Sequence, residues 1–140
     1  MTVYANKSEA GKLAYTIGMG THALSVDATH AEGGDDLGPS PHDLFDASLA
    51  ACTALTVTMY AQRKGWLLEE ARVTVERDSS QESQGVYRLD RRLELIGSLD
   101  AEQRERLLQI AERCPIHKLM MHTRIEIATA LIEAGSAASG

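Results

Sequence analysis

The chain has 140 residues and a formal net charge of −6 at pH 7, from 14 lysine and arginine against 20 aspartate and glutamate side chains. This charge excludes nucleic acid as an expected partner, because such binding relies on cations that neutralise phosphates. With 44% hydrophobic and 24% charged residues, the composition is typical of a globular protein and not of a disordered chain. We expect one domain over residues 1–140, with a frayed tail from about residue 134.

The sequence offers no obvious targeting or membrane-spanning segment. Its first ten residues include charged side chains and lack the apolar stretch of a secretory signal. The uncharged segment over residues 47–61 is rich in threonine and shorter than the roughly 20 residues that a bilayer requires. We therefore predict a cytoplasmic protein with no membrane partner. In that reducing compartment Cys52 and Cys114 are not expected to form a permanent structural disulfide.

The N-terminal part of the chain predicts a small antiparallel sheet. Alternating segments near residues 3–5, 12–17 and 23–28 are separated by Gly11 and by a glycine-rich turn at 18–20. Residues 30–41 are rich in glycine, proline and aspartate and have few apolar side chains, so we expect a loop there.

A long helix follows the loop, from Pro41 to Lys64. Proline suits the first helical turn, Ser40 is a suitable N-cap, and Asp43 lies near the positive end of the helix dipole. Gly65 is the expected C-terminal stop. The middle of this helix is small or apolar on all sides, which predicts burial inside the protein or at a subunit interface.

The second half of the chain predicts a hairpin, two helices and a last strand. Residues 71–76 and 87–95 alternate between apolar and polar side chains, except that Arg91 falls on the apolar face. Asp100 and Gln103 resemble a capping box that opens a helix ending near residue 113. A short helix then begins at Pro115, and residues 124–129 alternate as a final strand.

The two cysteines leave several kinds of chemistry open. Cys52 lies about three turns inside the long helix, too far for the helix dipole to act on it, so a buried inert thiol is one interpretation. Cys114 precedes Pro115 at a helix start, where free N–H groups stabilise a thiolate, and His117 follows within one turn. A mere capping role for Cys114 is the alternative. A zinc site is disfavoured, because the chain has no Cys-x₂₋₄-Cys pair and its two cysteines lie 62 positions apart.

Two motifs give the chain a family resemblance. The segment GPSPHDLFDASLAAC at residues 38–52 resembles the OsmC/Ohr family of osmotically inducible and organic-hydroperoxide-resistance proteins, and AERCPIH at 111–117 is similar to the segment around that family's second cysteine. The order of the predicted elements also follows the family, so the likeness covers nearly the whole chain. It implies an α+β fold in an intertwined homodimer, with antiparallel sheets around a long central helix that bears a cysteine.

The resemblance also implies a function. Cys52 would be the peroxidatic nucleophile, Cys114 the resolving thiol, and the two active sites would lie at the subunit interface. Such a protein is a thiol-dependent peroxidase: the Cys52 sulfenic acid formed by an organic hydroperoxide condenses with Cys114 to a disulfide. An external dithiol, of lipoyl type in the Ohr branch, reopens the disulfide, so no resident cofactor or metal is expected.

The chain departs from the Ohr branch at the groups that activate the thiolate. That branch uses an N-terminal arginine and a carboxylate ten residues before the cysteine, but the first arginine here is Arg63 and that position is His42. We hypothesise that Arg91 supplies the missing cation. The candidate activating or orienting side chains are His42, Asp43, Arg91 and His117, with Lys7 and Lys12 as weaker ones.

Two further functions remain as alternatives. The lost arginine–glutamate pair is compatible with a redox-sensing or apolar-ligand-binding dimer that has little peroxidase turnover. In a purely structural interpretation both cysteines contribute only to packing.

Overall fold

The structure is a computed structural model that describes residues 1–135. It forms two compact units, one of Met1–Leu44 with residues 125–135, the other of Phe45–Arg124. The strands and helices are β1 (Val3–Lys7), β2 (Tyr15–Met19), β3 (His22–Val26), α1 (Pro41–Lys64), β4 (Leu67–Asp78), β5 (Arg88–Ser98), α2 (Ala101–Ala111) and α3 (Pro115–His122). The predicted α+β class, with antiparallel sheets and a long cysteine-bearing helix, is confirmed.

The first unit contains the predicted meander, in which β1, β2 and β3 pair in antiparallel order. The second strand begins at Tyr15 and not near residue 12, because the chain turns around Gly11, whose φ of +80° favours glycine. The third strand ends at Val26, two residues earlier than predicted.

The loop after β3 is held by the buried carboxylate of Asp27. This group accepts backbone N–H bonds from Ala28 at 2.7 Å, Leu37 at 3.1 Å and Asp35 at 3.2 Å. Burial opposes ionisation, but these donors outweigh it and hold the pKa of Asp27 below its ordinary value. A Cβ at Gly34 would lie 2.2 Å from the Ala28 carbonyl oxygen, so the loop requires glycine there.

In the second unit, α1 packs its buried side chains against α2 and the hairpin. Helix α1 has the predicted bounds, and Gly65 ends it with a φ of +69°. The fully buried core of this unit consists of Val57, Ala61, Leu107, Ile110 and Ala111. Strands β4 and β5 pair in antiparallel register and pack leucines against this core. The predicted capping box of Asp100 and Gln103 opens α2.

The prediction of a final strand over residues 124–129 was wrong. The segment forms no strand in the part of the chain that the structure describes, and Ile125 and Ile127 are 63% and 85% exposed. The alternation of Ile125 and Ile127 reflects strand propensity, but a strand also needs a neighbouring edge to accept its backbone hydrogen bonds.

Helix α1 is longer than the uncharged segment over residues 47–61, from which the sequence predicted no membrane-spanning helix. It is the one helix in residues 1–135 whose length and composition would suffice to cross a membrane. Core helices of water-soluble proteins meet the same criterion, so this is weak evidence for a spanning segment.

Candidate functional site

The sulfur of Cys114 lies in a fully buried position at the start of α3. Cys114 is the N-cap of this helix, with Pro115 in its first turn, as the sequence predicts. Its Sγ accepts the backbone N–H of His117 at 3.3 Å. Two further groups approach the same sulfur: Nη1 of Arg91 at 4.0 Å and Oγ1 of Thr53 at 3.8 Å. Two donors therefore face the sulfur, the backbone N–H of His117 and Nη1 of Arg91, while the Thr53 hydroxyl gives its one proton to the Leu49 carbonyl.

Arg91 links β5, α1, α2 and α3 around this sulfur. Its side chain lies on the half-buried face of β5, as the alternation predicts. Nη1 donates to Thr53 Oγ1 at 3.1 Å and to the Ala111 carbonyl at 3.2 Å. Nη2 lies 3.1 Å from Nδ1 of His117. Because a guanidinium only donates, this ring nitrogen accepts the bond and carries no proton.

The surroundings keep the His117 imidazole neutral. Burial lowers the pKa of His117, and the nearby Arg91 guanidinium lowers it further, while Glu112 acts in the opposite direction. A neutral ring brings no second positive charge to the cluster and fixes the orientation of the guanidinium through Nδ1.

The positive charge of Arg91 is not balanced by an acid in the described chain. Within residues 1–135 no carboxylate lies within ion-pair distance of its guanidinium. A half-buried cation bound by neutral acceptors retains much of its field. That field acts on the adjacent Cys114 sulfur.

Cys52 lies next to this cluster along α1 but in different surroundings. Its half-buried Sγ lies 3.8 Å from Oγ1 of Thr56, one turn along the helix. The following residue, Thr53, is fully buried, donates to the Leu49 carbonyl at 2.7 Å and reaches both Arg91 and Cys114. The structure thus brings Cys114 to the residue adjacent to Cys52. Both cysteines are free thiols.

Asp43 takes part in capping at the start of α1. It accepts the backbone N–H of Ser40 at 2.9 Å, and Ser40 Oγ accepts the N–H of Asp43 at 3.2 Å. His42 lies in the same turn, and both residues belong to the first unit. Cys52, Cys114, Arg91 and His117 all belong to the second unit.

The lysines of the N-terminal region are engaged locally. Lys7 donates to the carbonyls of Ser8 and Gly11, and Lys12 pairs with Asp35 at 4.0 Å. Arg91 is therefore the predicted cation that the structure brings to a cysteine, although the sulfur it contacts is that of Cys114. Its proposed action on Cys52 stays a prediction.

Sequence reasoning missed a buried polar network around Asp46, which lies on α1 six residues before Cys52. The Asp46 carboxylate accepts bonds from Nε of Arg77 at 2.5 Å and from the hydroxyl of Tyr87 at 2.6 Å. The edge of the Tyr87 ring packs on Phe45, with ring centroids 5.8 Å apart. An acid inside an apolar helix was the available signal. Its partners are Arg77 on β4 and Tyr87 just before β5, and local sequence does not reveal them.

This network predicts an alkaline transition. Burial and the hydrogen bond to Asp46 raise the pKa of Tyr87 from 10.0 to about 12. Because the folded state favours the protonated phenol, this contribution to stability is complete below pH 10 and is lost as pH rises towards 12. We expect the free energy of unfolding, measured by urea denaturation, to fall over this range. The fall should be smaller in Tyr87→Phe, and an identical pH profile in that variant would contradict the assignment.

A comparison with protein-family models gives one family match that covers most of the chain. Residues 33–130 match the model described as OsmC-like protein. The chain belongs to the OsmC-like protein family. The matched range includes both cysteines and α1, so the family resemblance inferred from the two sequence motifs is confirmed. A comparison with curated proteins found no significant match.

Solved structures of similar fold include an OsmC-like protein and organic hydroperoxide resistance proteins. The OsmC-like protein of Mycoplasma pneumoniae is 18% identical with a TM-score of 0.69, covering 86% of each chain. The organic hydroperoxide resistance protein of Elizabethkingia anophelis is 20% identical with a TM-score of 0.63, covering 87% of this chain and 89% of its own. The organic hydroperoxide resistance protein OhrB of Bacillus subtilis is 26% identical with a TM-score of 0.52, covering 86% and 90%.

The described residues also bear on metal chemistry. Residues 1–135 of this OsmC-like protein contain no group of three or more His, Cys, Asp and Glu side chains placed to hold a metal ion.

Proposed function

We propose that this OsmC-like protein is a thiol-dependent peroxidase that reduces organic hydroperoxides, with Cys52 as the nucleophile and Cys114 as the resolving thiol. One observation supports this assignment above others: the buried Cys114 sulfur lies 3.8 Å from the hydroxyl of Thr53, the residue adjacent to Cys52. The 26% identity to the organic hydroperoxide resistance protein of Bacillus subtilis supports the same substrate class.

The exposure of the two sulfurs supports the order of the reaction. Cys52 is half-buried, whereas Cys114 is completely buried, so a hydroperoxide reaches Cys52 first. The Cys52 thiolate attacks the terminal peroxide oxygen, the O–O bond breaks, and the alkoxide leaves to become an alcohol. The Cys114 thiolate then attacks the Cys52 sulfenic acid, which releases hydroxide and forms the disulfide. An external dithiol, such as a lipoyl group, returns both cysteines to thiols.

We further propose a cytoplasmic homodimer with active sites at the subunit interface. The outward face of α1 around Cys52 exposes three large apolar side chains, which are Phe45, Leu55 and Met59. An apolar helix face of this kind is commonly covered by a second subunit. The two free thiols are compatible with a reducing compartment.

A second candidate function is a redox-sensing dimer with little turnover. It is favoured by the position of the Arg91 guanidinium, which contacts Cys114 and Thr53, while the Cys52 sulfur contacts the neutral hydroxyl of Thr56. A nucleophile without an adjacent cation reacts more slowly with peroxide. Turnover with excess dithiol separates this function from the peroxidase.

The proposed peroxidase is tested by counting free thiols after one equivalent of cumene hydroperoxide. We expect the wild-type chain to lose both thiols, because sulfenic acid formation at Cys52 is followed by condensation with Cys114. In Cys114→Ser the Cys52 sulfenic acid cannot be resolved, so further peroxide should produce sulfinic acid, which mass spectrometry detects. Retention of both thiols in the wild type would contradict the proposal.

A further inference from the structure

The two sulfurs differ in both accessibility and electrostatic surroundings. Cys114 Sγ is fully buried, accepts an N–H at the start of α3, and lies 4.0 Å from Nη1 of Arg91. Cys52 Sγ is half-buried and lies 3.8 Å from the neutral hydroxyl of Thr56. The accessible sulfur is thus not the one whose surroundings best stabilise negative charge. In a disulfide between them, the two sulfur atoms would not be equivalent.

We propose that the reducing dithiol attacks this disulfide at Cys52 Sγ, and that Cys114 departs as a thiolate held by Arg91 and by the backbone N–H of His117. The inference rests on the proposed peroxidase function and extends it to the regeneration step. Arg91 is then a positioning and charge-stabilising residue for the leaving group.

Leaving-group stability decides which sulfur is expelled. In thiol–disulfide exchange the sulfur that better holds the electron pair departs faster, and the attacking thiolate needs access to the opposite sulfur. Both conditions select the same direction here, because the buried sulfur is also the one that faces a cation. The charge of Arg91 is available for this purpose, since no carboxylate within residues 1–135 pairs with it.

The neighbours of Arg91 hold the guanidinium in place for this role. Thr53 Oγ1 and the Ala111 carbonyl accept bonds from Nη1, and the neutral His117 ring accepts one from Nη2. These three acceptors carry no net charge, so they fix the orientation of the guanidinium without cancelling its field.

The step balances as a two-electron exchange. A thiolate of the dithiol bonds to Cys52 Sγ, the bond between Cys52 and Cys114 breaks, and its electron pair stays on Cys114. The second thiol of the reductant then attacks its own sulfur in the mixed disulfide and expels the Cys52 thiolate. The reductant leaves as a cyclic disulfide, and its two protons go to the two protein thiols.

The direction of attack is measurable with one equivalent of a monothiol, which lacks the second thiol that would release the mixed disulfide intramolecularly. The full-length protein is oxidised with diamide, reacted with 2-mercaptoethanol, quenched with acid and mapped by peptide mass spectrometry. We expect the mercaptoethanol adduct on Cys52 and a free thiol at Cys114. In Arg91→Ala the opening of the disulfide should slow by about tenfold, and a larger share of adduct should appear on Cys114.

Two variants separate charge from folding. Arg91→Lys should restore part of the rate and the preference for Cys52, because it returns the positive charge. Arg92→Ala is the matched control on the same strand: its exposed side chain pairs with Asp90, so rate and adduct position should equal those of the wild type. A wild-type adduct mainly on Cys114, or an Arg91→Ala rate equal to that of the wild type, would overturn the inference.

The experiment also distinguishes failure of the inference from failure of the proposed function. Diamide forms the disulfide without any peroxidase activity. If the disulfide opens at Cys52 in a protein that does not turn over hydroperoxide, the inference stands and the peroxidase function fails. If diamide gives no disulfide between Cys52 and Cys114, both are overturned.

Discussion

Replacing Cys52 with serine is expected to lower the turnover of cumene hydroperoxide by at least about 10³-fold, the scale on which loss of a catalytic nucleophile acts. A serine hydroxyl is not ionised near neutral pH, and its oxygen cannot form the sulfenic acid that the cycle requires. The measurement is hydroperoxide consumption with an excess of dithiol, monitored for wild-type and variant protein at equal concentration.

Stability provides the control for this substitution. Cys52 is half-buried and lies outside the buried core of the second unit, so Cys52→Ser should leave the urea denaturation midpoint close to that of the wild type. Rapid hydroperoxide consumption by a folded Cys52→Ser protein would remove Cys52 from the mechanism.

The largest effect on stability is expected from Asp46→Ala. The Asp46 side chain is 11% exposed and is bonded to Arg77, whose side chain is 33% exposed, and to Tyr87. Removing the carboxylate leaves a guanidinium and a phenol without this acceptor in a partly buried site. We expect the free energy of unfolding to fall by about 2–3 kcal/mol, below the range for fully buried ion pairs because Arg77 retains some contact with water.

Asp90→Ala is the matched control for that measurement. Asp90 pairs with Arg92 at 3.2 Å, but their side chains are 62% and 76% exposed, so the loss should stay within about 0.5 kcal/mol. Equal destabilisation of the two variants would show that the Asp46 network contributes no more than a surface ion pair.

Local signals in the sequence were sufficient to predict several elements. Pro41 and Gly65 define the ends of α1 because proline fits a first helical turn and glycine adopts the positive φ that ends a helix. Asp100 with Gln103, and Cys114 with Pro115, define the starts of α2 and α3 for similar reasons. These interactions span a few residues, so the sequence itself contains both partners.

Features that depend on tertiary packing were less predictable. Alternation identified Arg91 as inward-facing, but the sulfur that it meets is determined by how β5 packs with α1 and α3. Thr53 was not singled out, because a threonine on an apolar helix gives no local sign of such contacts. The alternation of apolar and polar side chains also led to the wrong prediction of a strand over residues 124–129. Alternation indicates which face a strand would bury, but it does not show that another strand is available to pair with it.

The sequence lacks the N-terminal arginine of the Ohr branch, which raised the question of which cation activates Cys52. The structure places a cation beside the other sulfur. Arg91 is a cation near the site, and it contacts the buried Cys114. Electrostatic stabilisation in this chain is thus directed at the sulfur proposed to resolve and then leave. This arrangement favours reduction of the proposed disulfide between Cys52 and Cys114 over activation of the Cys52 thiol. It is the reason for inferring that the reductant attacks Cys52 and that Cys114 leaves.

The most direct test is a non-reducing mass spectrum of the wild-type protein after one equivalent of organic hydroperoxide. We predict a loss of two hydrogens, found in a linked pair of peptides that contain Cys52 and Cys114. An unchanged mass, or a sulfinic acid at Cys52 with Cys114 still free, would contradict the proposal that these two thiols form one redox pair.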